Sequence, residues 1–232
     1  MRMRKTILIP ALMCLLFVFG MQGCKEEDDT FDPYYDWKAR NEEYFEGIAA
    51  EARDSIALAK RMYGDDWEDY CSWRMYKSTT LAPDDAGTLY DSICVCIETR
   101  GEGTVSPKWS DSVRVNYRGW LMPTQDMVDG ELVDEQTVFA QSYMGELDND
   151  IAVPVLMGVA DAVVGFATAL QYMHTGDVWW VYIPPDLAYG SVDYSTIPAY
   201  SVLTFYANLV AIYETGEEIP DWKSLEADTI FD

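Results

Sequence analysis

Gly176-Asp-Val-Trp-Trp-Val-Tyr-Ile-Pro-Pro-Asp-Leu-Ala-Tyr-Gly190 is the stretch that decides how this chain is read. From Val178 to Ile183 every residue is β-branched or aromatic, which suits a strand covered on both faces. Pro184-Pro185 removes two backbone donors and ends the hydrogen-bonding ladder. Whatever the protein binds is expected to meet the loop that follows, which carries the phenol of Tyr189.

Just upstream, Val163, Phe166, Ala167, Leu170 and Met173 fall at helical spacing and predict one short helix with its apolar face on a sheet. Further back, Ile93, Val95 and Ile97 alternate with Cys94, Cys96 and Glu98; after the turn Arg100-Gly-Glu-Gly103, Val113, Val115 and Tyr117 alternate with Arg114, Asn116 and Arg118. This is the period of two half-buried strands. Asp129-Gly130 marks a hairpin turn inside an insertion between Leu121 and Phe139. Downstream, Ser201 to Tyr213 predicts a last strand with Leu203, Phe205, Ala207, Leu209 and Ala211 on one face. The simplest assembly is an α+β fold, an antiparallel sheet covering a single short helix.

An N-terminal helical extension precedes this domain. Tyr44, Phe45, Ile48, Ala52, Ile56, Ala59 and Tyr63 recur at three- and four-residue steps between Trp37 and Tyr63, and Gly64 stands where a C-terminal cap belongs. This long amphipathic helix is expected to dock on the following domain, with a homodimer through paired helices as the alternative. Between Asp65 and Thr80, Trp67, Tyr70, Trp73 and Tyr76 at three-residue steps predict a short packed helix.

The start of the chain reads as a targeting signal. Arg2, Arg4 and Lys5 precede an apolar run from Ile7 to Met21, shorter than the roughly 20 residues of a spanning helix. The run ends in Met21-Gln-Gly-Cys24, which resembles the lipobox of bacterial lipoproteins and makes Cys24 the expected lipidation site; an ordinary secretory signal is the alternative. Lys25-Glu-Glu-Asp-Asp29 resembles the acidic export tag of Bacteroidetes surface lipoproteins, and equally suits a solvated tether. The expected location is the cell envelope, lipid-anchored in the outer membrane on either its periplasmic or surface face.

Charge narrows the partners. Without the three basic residues of the leader, 13 of the 16 basic residues remain against 40 acidic ones, a net of −27. Such a surface repels phosphate backbones and anionic headgroups, so nucleic acid is not an expected partner and membrane contact should come through the lipid. Apart from Cys14 and Cys24, three cysteines remain, an odd number that argues against a disulfide framework. Cys94 and Cys96 share a strand face and read as buried apolar side chains; pairing of Cys71 with one of them is the alternative. The single histidine, His174, makes a Ser-His-Asp hydrolase or a histidine-rich zinc site hard to build. Asp148-Asn-Asp150 lacks the glycine and downstream glutamate of a calcium loop. No cofactor or metal is expected.

The ordered set Val115-Asn-Tyr-Arg-Gly-Trp-Leu121, Phe139 with Ser142-Tyr143, Val163-Val-Gly-Phe166, Gly176-Asp177, Ile183-Pro-Pro-Asp-Leu-Ala-Tyr-Gly190, Ile197-Pro198 and Leu203-Thr-Phe205 resembles an FKBP-type peptidyl-prolyl isomerase domain. The resemblance spans roughly residues 90–214, and with the readings above the expected division is a leader (1–23), an acidic tether (24–36), a helical region (37–89), the FKBP-type domain (90–214) and a tail (215–232). The helical region resembles that of Bacteroidetes FKBP lipoproteins.

The resemblance also implies a shallow apolar pocket. Tyr117, Phe139 and Tyr189 would be its catalytic aromatics. Phe166 would form the floor, where the family usually has Trp, with Phe205, Ala162, Val163 and Val153 as walls. The Tyr189 hydroxyl and the Ile197 backbone N–H would hold carbonyls of a bound peptide. Two departures bear on activity: Phe139 is followed by Ala140 where the family has Asp, and Val153 stands where it has a second aromatic wall. The implied substrates are proline-containing, unfolded or partly folded exported polypeptides; the alternative is an FKBP-fold chaperone or peptide-binding module with catalysis weakened.

Overall fold

The alternating segments build a sheet in the computed structural model, which describes residues 32–128 and 131–222. The leader, Cys24 and the Asp129-Gly130 turn lie outside the described residues. Helix α1 (Trp37–Tyr63) and a short α2 (Trp67–Tyr70) come first. Strands β1 (Trp73–Lys77), β2 (Ser92–Thr99), β3 (Ser112–Leu121), β6 (Val138–Gln141), β7 (Val155–Gly158), β8 (Val178–Ile183) and β9 (Leu203–Tyr213) form one sheet in the order β1-β2-β8-β9-β3-β6, with β7 also on β3. Every pairing is antiparallel. The insertion is a separate hairpin, β4 (Thr124–Val128) against β5 (Glu131–Glu135), with Val128 opposite Glu131.

Helix α3 (Val164–Leu170) lies in the concave face, and every residue from Gly165 to Leu170 is buried. Ile93, Val95, Val113, Val115, Val181, Ile183 and Leu209, all fully buried, close around it. At seven residues α3 is too short to hold its shape in water, so this enclosure keeps it folded. The opposite face carries α1, whose Phe45, Ala49 and Ala52 are buried against Cys94 and Val202. Inside that contact Asn41 is fully buried but satisfied: its Oδ1 accepts the Val202 N–H at 2.8 Å and its amide donates to Trp37 O at 2.8 Å. The Trp37 indole donates to Ser201 Oγ at 2.9 Å. The helix thus docks on its own domain, and Gly64, at φ 60°, ends it with its N–H on Lys60 O.

Three expectations change. The aromatic run after α1 is mostly not helical: Trp73 and Tyr76 lie on edge strand β1, with Trp73 opposite Cys96. Strand pairing overrides the local three-residue spacing there, and Arg74, 4% exposed, donates to the carbonyls of Glu68, Cys71 and Trp73, closing the end of α2. Along β9, register shifts because Val115 faces Leu209 while Arg114 faces Ala211; the extra residue is Val210. This bulge turns Ala211 away from the core face, and Ile212 packs on the core in its place. Strands β2 and β3 are more than half-buried, because α1 covers Cys94, and the chain at Pro220 and Trp222 covers Arg114.

The three described cysteines are free thiols. Burial pushes the Cys94 thiol up to about 12. In the unfolded chain this thiol ionises near its ordinary value of 9.0, so its contribution to stability is present below that pH and is lost as pH rises toward about 12. Alkaline denaturation followed by circular dichroism is expected to shift upward in pH for Cys94→Ala. Phe45→Ala should lower unfolding free energy by about 3–5 kcal/mol, measured in urea; a loss near zero would mean that α1 is not docked.

Candidate active site

At the mouth of the concave face the end of α3 leaves a cleft of about 460 Å3. Phe166, 3% exposed, forms the floor and stacks on Phe205 of β9, ring centroids 4.6 Å apart. Phe139 of β6 meets Phe205 edge-on at 5.3 Å, and Tyr117 of β3 lies edge-on to Phe166 and Phe205 at 6.0 and 6.1 Å. Edge-to-face contacts of this kind fix ring orientation beyond what area burial would do. Gly119 makes the arrangement feasible: a Cβ there would lie 2.7 Å from Phe139 Cζ and 2.9 Å from Phe205 Cε1. Ser142 accepts the Tyr117 N–H on its hydroxyl at 2.9 Å and donates its own N–H to Tyr117 O at 2.8 Å, pinning that strand to the chain after β6.

The far wall is the loop after β8. A turn of 3-10 helix over Pro185–Leu187, anchored by buried Leu187, leads to Tyr189, and Gly190 returns its N–H to Pro185 O at 2.9 Å. Tyr189 stacks flat on Tyr194, centroids 4.2 Å apart and 7° from parallel. Burial, followed by the neighbouring phenols of Tyr194 and Tyr117, raises the Tyr189 hydroxyl above its ordinary value, so near neutrality it is a proton-bearing donor. Among the described residues it makes no hydrogen bond to protein, which leaves it free for a ligand.

Of the residues singled out in the sequence, Tyr117, Phe139, Ala162, Val163, Phe166, Tyr189, Ile197 and Phe205 all line this cleft. Val153 does not. It is 62% exposed, because β7 begins to pair with β3 only at Val155, leaving Val153 beyond the sheet; Met157, two residues into the strand, forms the wall instead. The Ile197 side chain is buried in the cleft, but its backbone N–H already donates to Tyr194 O at 2.9 Å, while Tyr194 N–H donates to Ile197 O at 2.9 Å. The donor that the resemblance implied is therefore spent inside a tight turn, with Ser195 at φ 53°. Ala140 lines the cleft without a carboxylate; the one acidic side chain there, Asp161, is exposed at the rim. Tyr194, Met157 and Asp161 carry no sequence signal that marks them for the cleft, and Leu203, expected on the core face of the last strand, also lines it. Tyr194 reaches the cleft by stacking on Tyr189 across the loop, a contact that no periodicity in the chain marks.

Residues 103–210 match the family described as FKBP-type peptidyl-prolyl cis-trans isomerase. Over these residues the chain is similar to FKBP-type domains. It is similar to the macrophage infectivity potentiator of Trypanosoma cruzi, 31% identical over 62% of this chain and 65% of that protein. It is similar also to the peptidyl-prolyl cis-trans isomerase Mip of Coxiella burnetii, 31% identical over 54% of this chain and 46% of the other. The chain thus spans between about half and two thirds of the length of these relatives. A solved peptidyl-prolyl cis-trans isomerase from Pseudomonas syringae aligns with a TM-score of 0.41 at 23% identity, covering 73% of this chain and 96% of the other. Every aromatic of the cleft lies within the FKBP match, whereas α1, β1 and β2 precede it.

If Tyr194 shields Tyr189, Tyr194→Ala should move the Tyr189 phenol back toward its ordinary value, with Tyr194→Phe retaining most of the rise. Site-resolved 13C titration of the tyrosine ring reads this directly, and no difference between the two variants would separate the stack from the shift.

Proposed function

We propose that this chain is an X-Pro isomerase that acts on proline-containing segments of unfolded or partly folded exported polypeptides, held to the cell envelope by a lipid on Cys24. The observation that carries the catalytic reading is the uncommitted Tyr189 hydroxyl at the edge of a cleft walled by Tyr117, Phe139, Phe166 and Phe205. Rotating an X-Pro bond must break amide resonance, a barrier of roughly 18–20 kcal/mol. The twisted amide is less polar than the planar one. An apolar, water-poor cleft therefore favours the twisted form over the ground state, while a fixed donor holds a flanking carbonyl. No side chain needs to gain or lose a proton, so the rate should be flat across neutral pH.

A second reading, a peptide-binding chaperone module with weakened catalysis, is favoured by one specific finding. The Ile197 N–H is consumed by Tyr194 and Ala140 supplies no carboxylate, so the cleft holds a peptide with fewer fixed contacts than the family pattern.

A protease-free assay on a short X-Pro peptide separates the two. Catalysis above the spontaneous exchange rate is expected, with Tyr189→Phe lowering it by roughly 2–10-fold, the kinetic equivalent of one neutral hydrogen bond. Ala140→Asp is expected to raise it by a similar factor. Peptide binding without rate enhancement in the folded protein would select the chaperone reading. Cys24→Ser is expected to move the protein from the membrane to the soluble fraction; unchanged membrane retention would overturn the anchor.

A further inference from the structure

Helix α1 covers only part of the outer sheet face. Beyond it, Trp120 of β3, Trp180 of β8 and Tyr206 of β9 stand in a row, half-buried, with Tyr143 beside them on the chain after β6. They line a cleft of about 470 Å3 together with Glu98 and Arg118. This cleft shares no residue with the one around Tyr189.

Its polar groups are tightly placed. Trp120 and Trp180 stack with centroids 5.5 Å apart, and Tyr206 lies 4.9 Å from Trp180. Glu98 accepts the Trp180 indole N–H at 2.9 Å on one oxygen and the Tyr206 hydroxyl at 3.1 Å on the other, which locks both rings and fixes the carboxylate between them. The Arg118 guanidinium sits 5.3 Å from the Trp120 ring centre and donates through Nη1 to Gly145 O at 3.0 Å, while its Nε has no acceptor. A fixed carboxylate with spare lone pairs, a guanidinium held beside the Trp120 ring, and flat aromatic faces between them form a binding surface rather than packing alone.

We propose that this outer cleft is a second ligand site and that its ligand is a saccharide. A pyranose offers an apolar C–H face to the indoles and hydroxyls that both donate and accept, so one ring can satisfy the aromatic, acidic and cationic groups together. A proline-rich peptide fits less well. Such segments need N–H and O–H donors at the ring edges for their backbone carbonyls, and here two of the four rings, Trp180 and Tyr206, have already given theirs to Glu98.

The full-length protein is titrated with methyl β-glucopyranoside, methyl β-galactopyranoside and N,N′-diacetylchitobiose, followed by tryptophan fluorescence and ligand-observed NMR. At least one should bind saturably with a dissociation constant of about 1 mM, the scale of a shallow site for a small ligand. Trp180→Ala and Glu98→Gln should weaken it by about tenfold or more; Tyr143→Ala, outside the strands, should do the same without disturbing the sheet. X-Pro isomerisation should be unchanged in all three variants. Absence of saturable binding by every one of these sugars, undiminished affinity in the folded variants, or tighter binding of a proline decamer at the same rings would each overturn the proposal.

Discussion

Everything in this domain depends on how closely α3 approaches the sheet. A Cβ on Gly165 would lie 2.2 Å from Ile183 Cγ2, so only glycine lets the helix lie against β8 at this distance. The same contact makes a seven-residue helix tenable, since its stability comes from enclosure rather than from its own hydrogen bonds. Because α3 sits deep, Phe166 reaches the floor of the cleft without filling it. Apolar space then remains above its ring for a ligand.

The two sides of the sheet do different work with similar residues. On the concave side aromatic rings meet mostly edge-on around an open cleft, and the free phenol belongs to the loop after β8. On the outer side α1 buries Cys94 and Val202, and through Asn41 and Trp37 it grips Ser201 and Val202. Those residues lead directly from the Ile197 turn into β9. The extension, although it precedes the FKBP match, therefore braces one wall of the cleft from behind.

Much of the site was legible in the chain because its residues sit at motif positions whose spacing the strands preserve. Tyr117, Phe139, Phe166, Tyr189 and Phe205 are brought together as expected. Val153 was misplaced because residue order does not say where pairing of β7 with β3 begins. Tyr194 was missed because its role arises from stacking across a turn that no periodicity marks. The spent donor of Ile197 was equally invisible, since a backbone N–H has the same sequence signature whether it faces a ligand or a neighbouring carbonyl.

Amino-acid order by itself determined the class of fold, an antiparallel sheet on one short helix, because alternation and helical spacing record which faces must be buried; the aromatic lining of the cleft followed only from the order of motifs that resembles an FKBP-type domain. It also set the large negative charge. Tertiary structure alone decided which donors remain free, that α1 lies on its own domain, that a bulge at Val210 turns Ala211 from the core, and that Trp120, Trp180 and Tyr206 converge on Glu98. These outcomes are set by register and by contacts between residues distant in the chain, which local pattern does not encode.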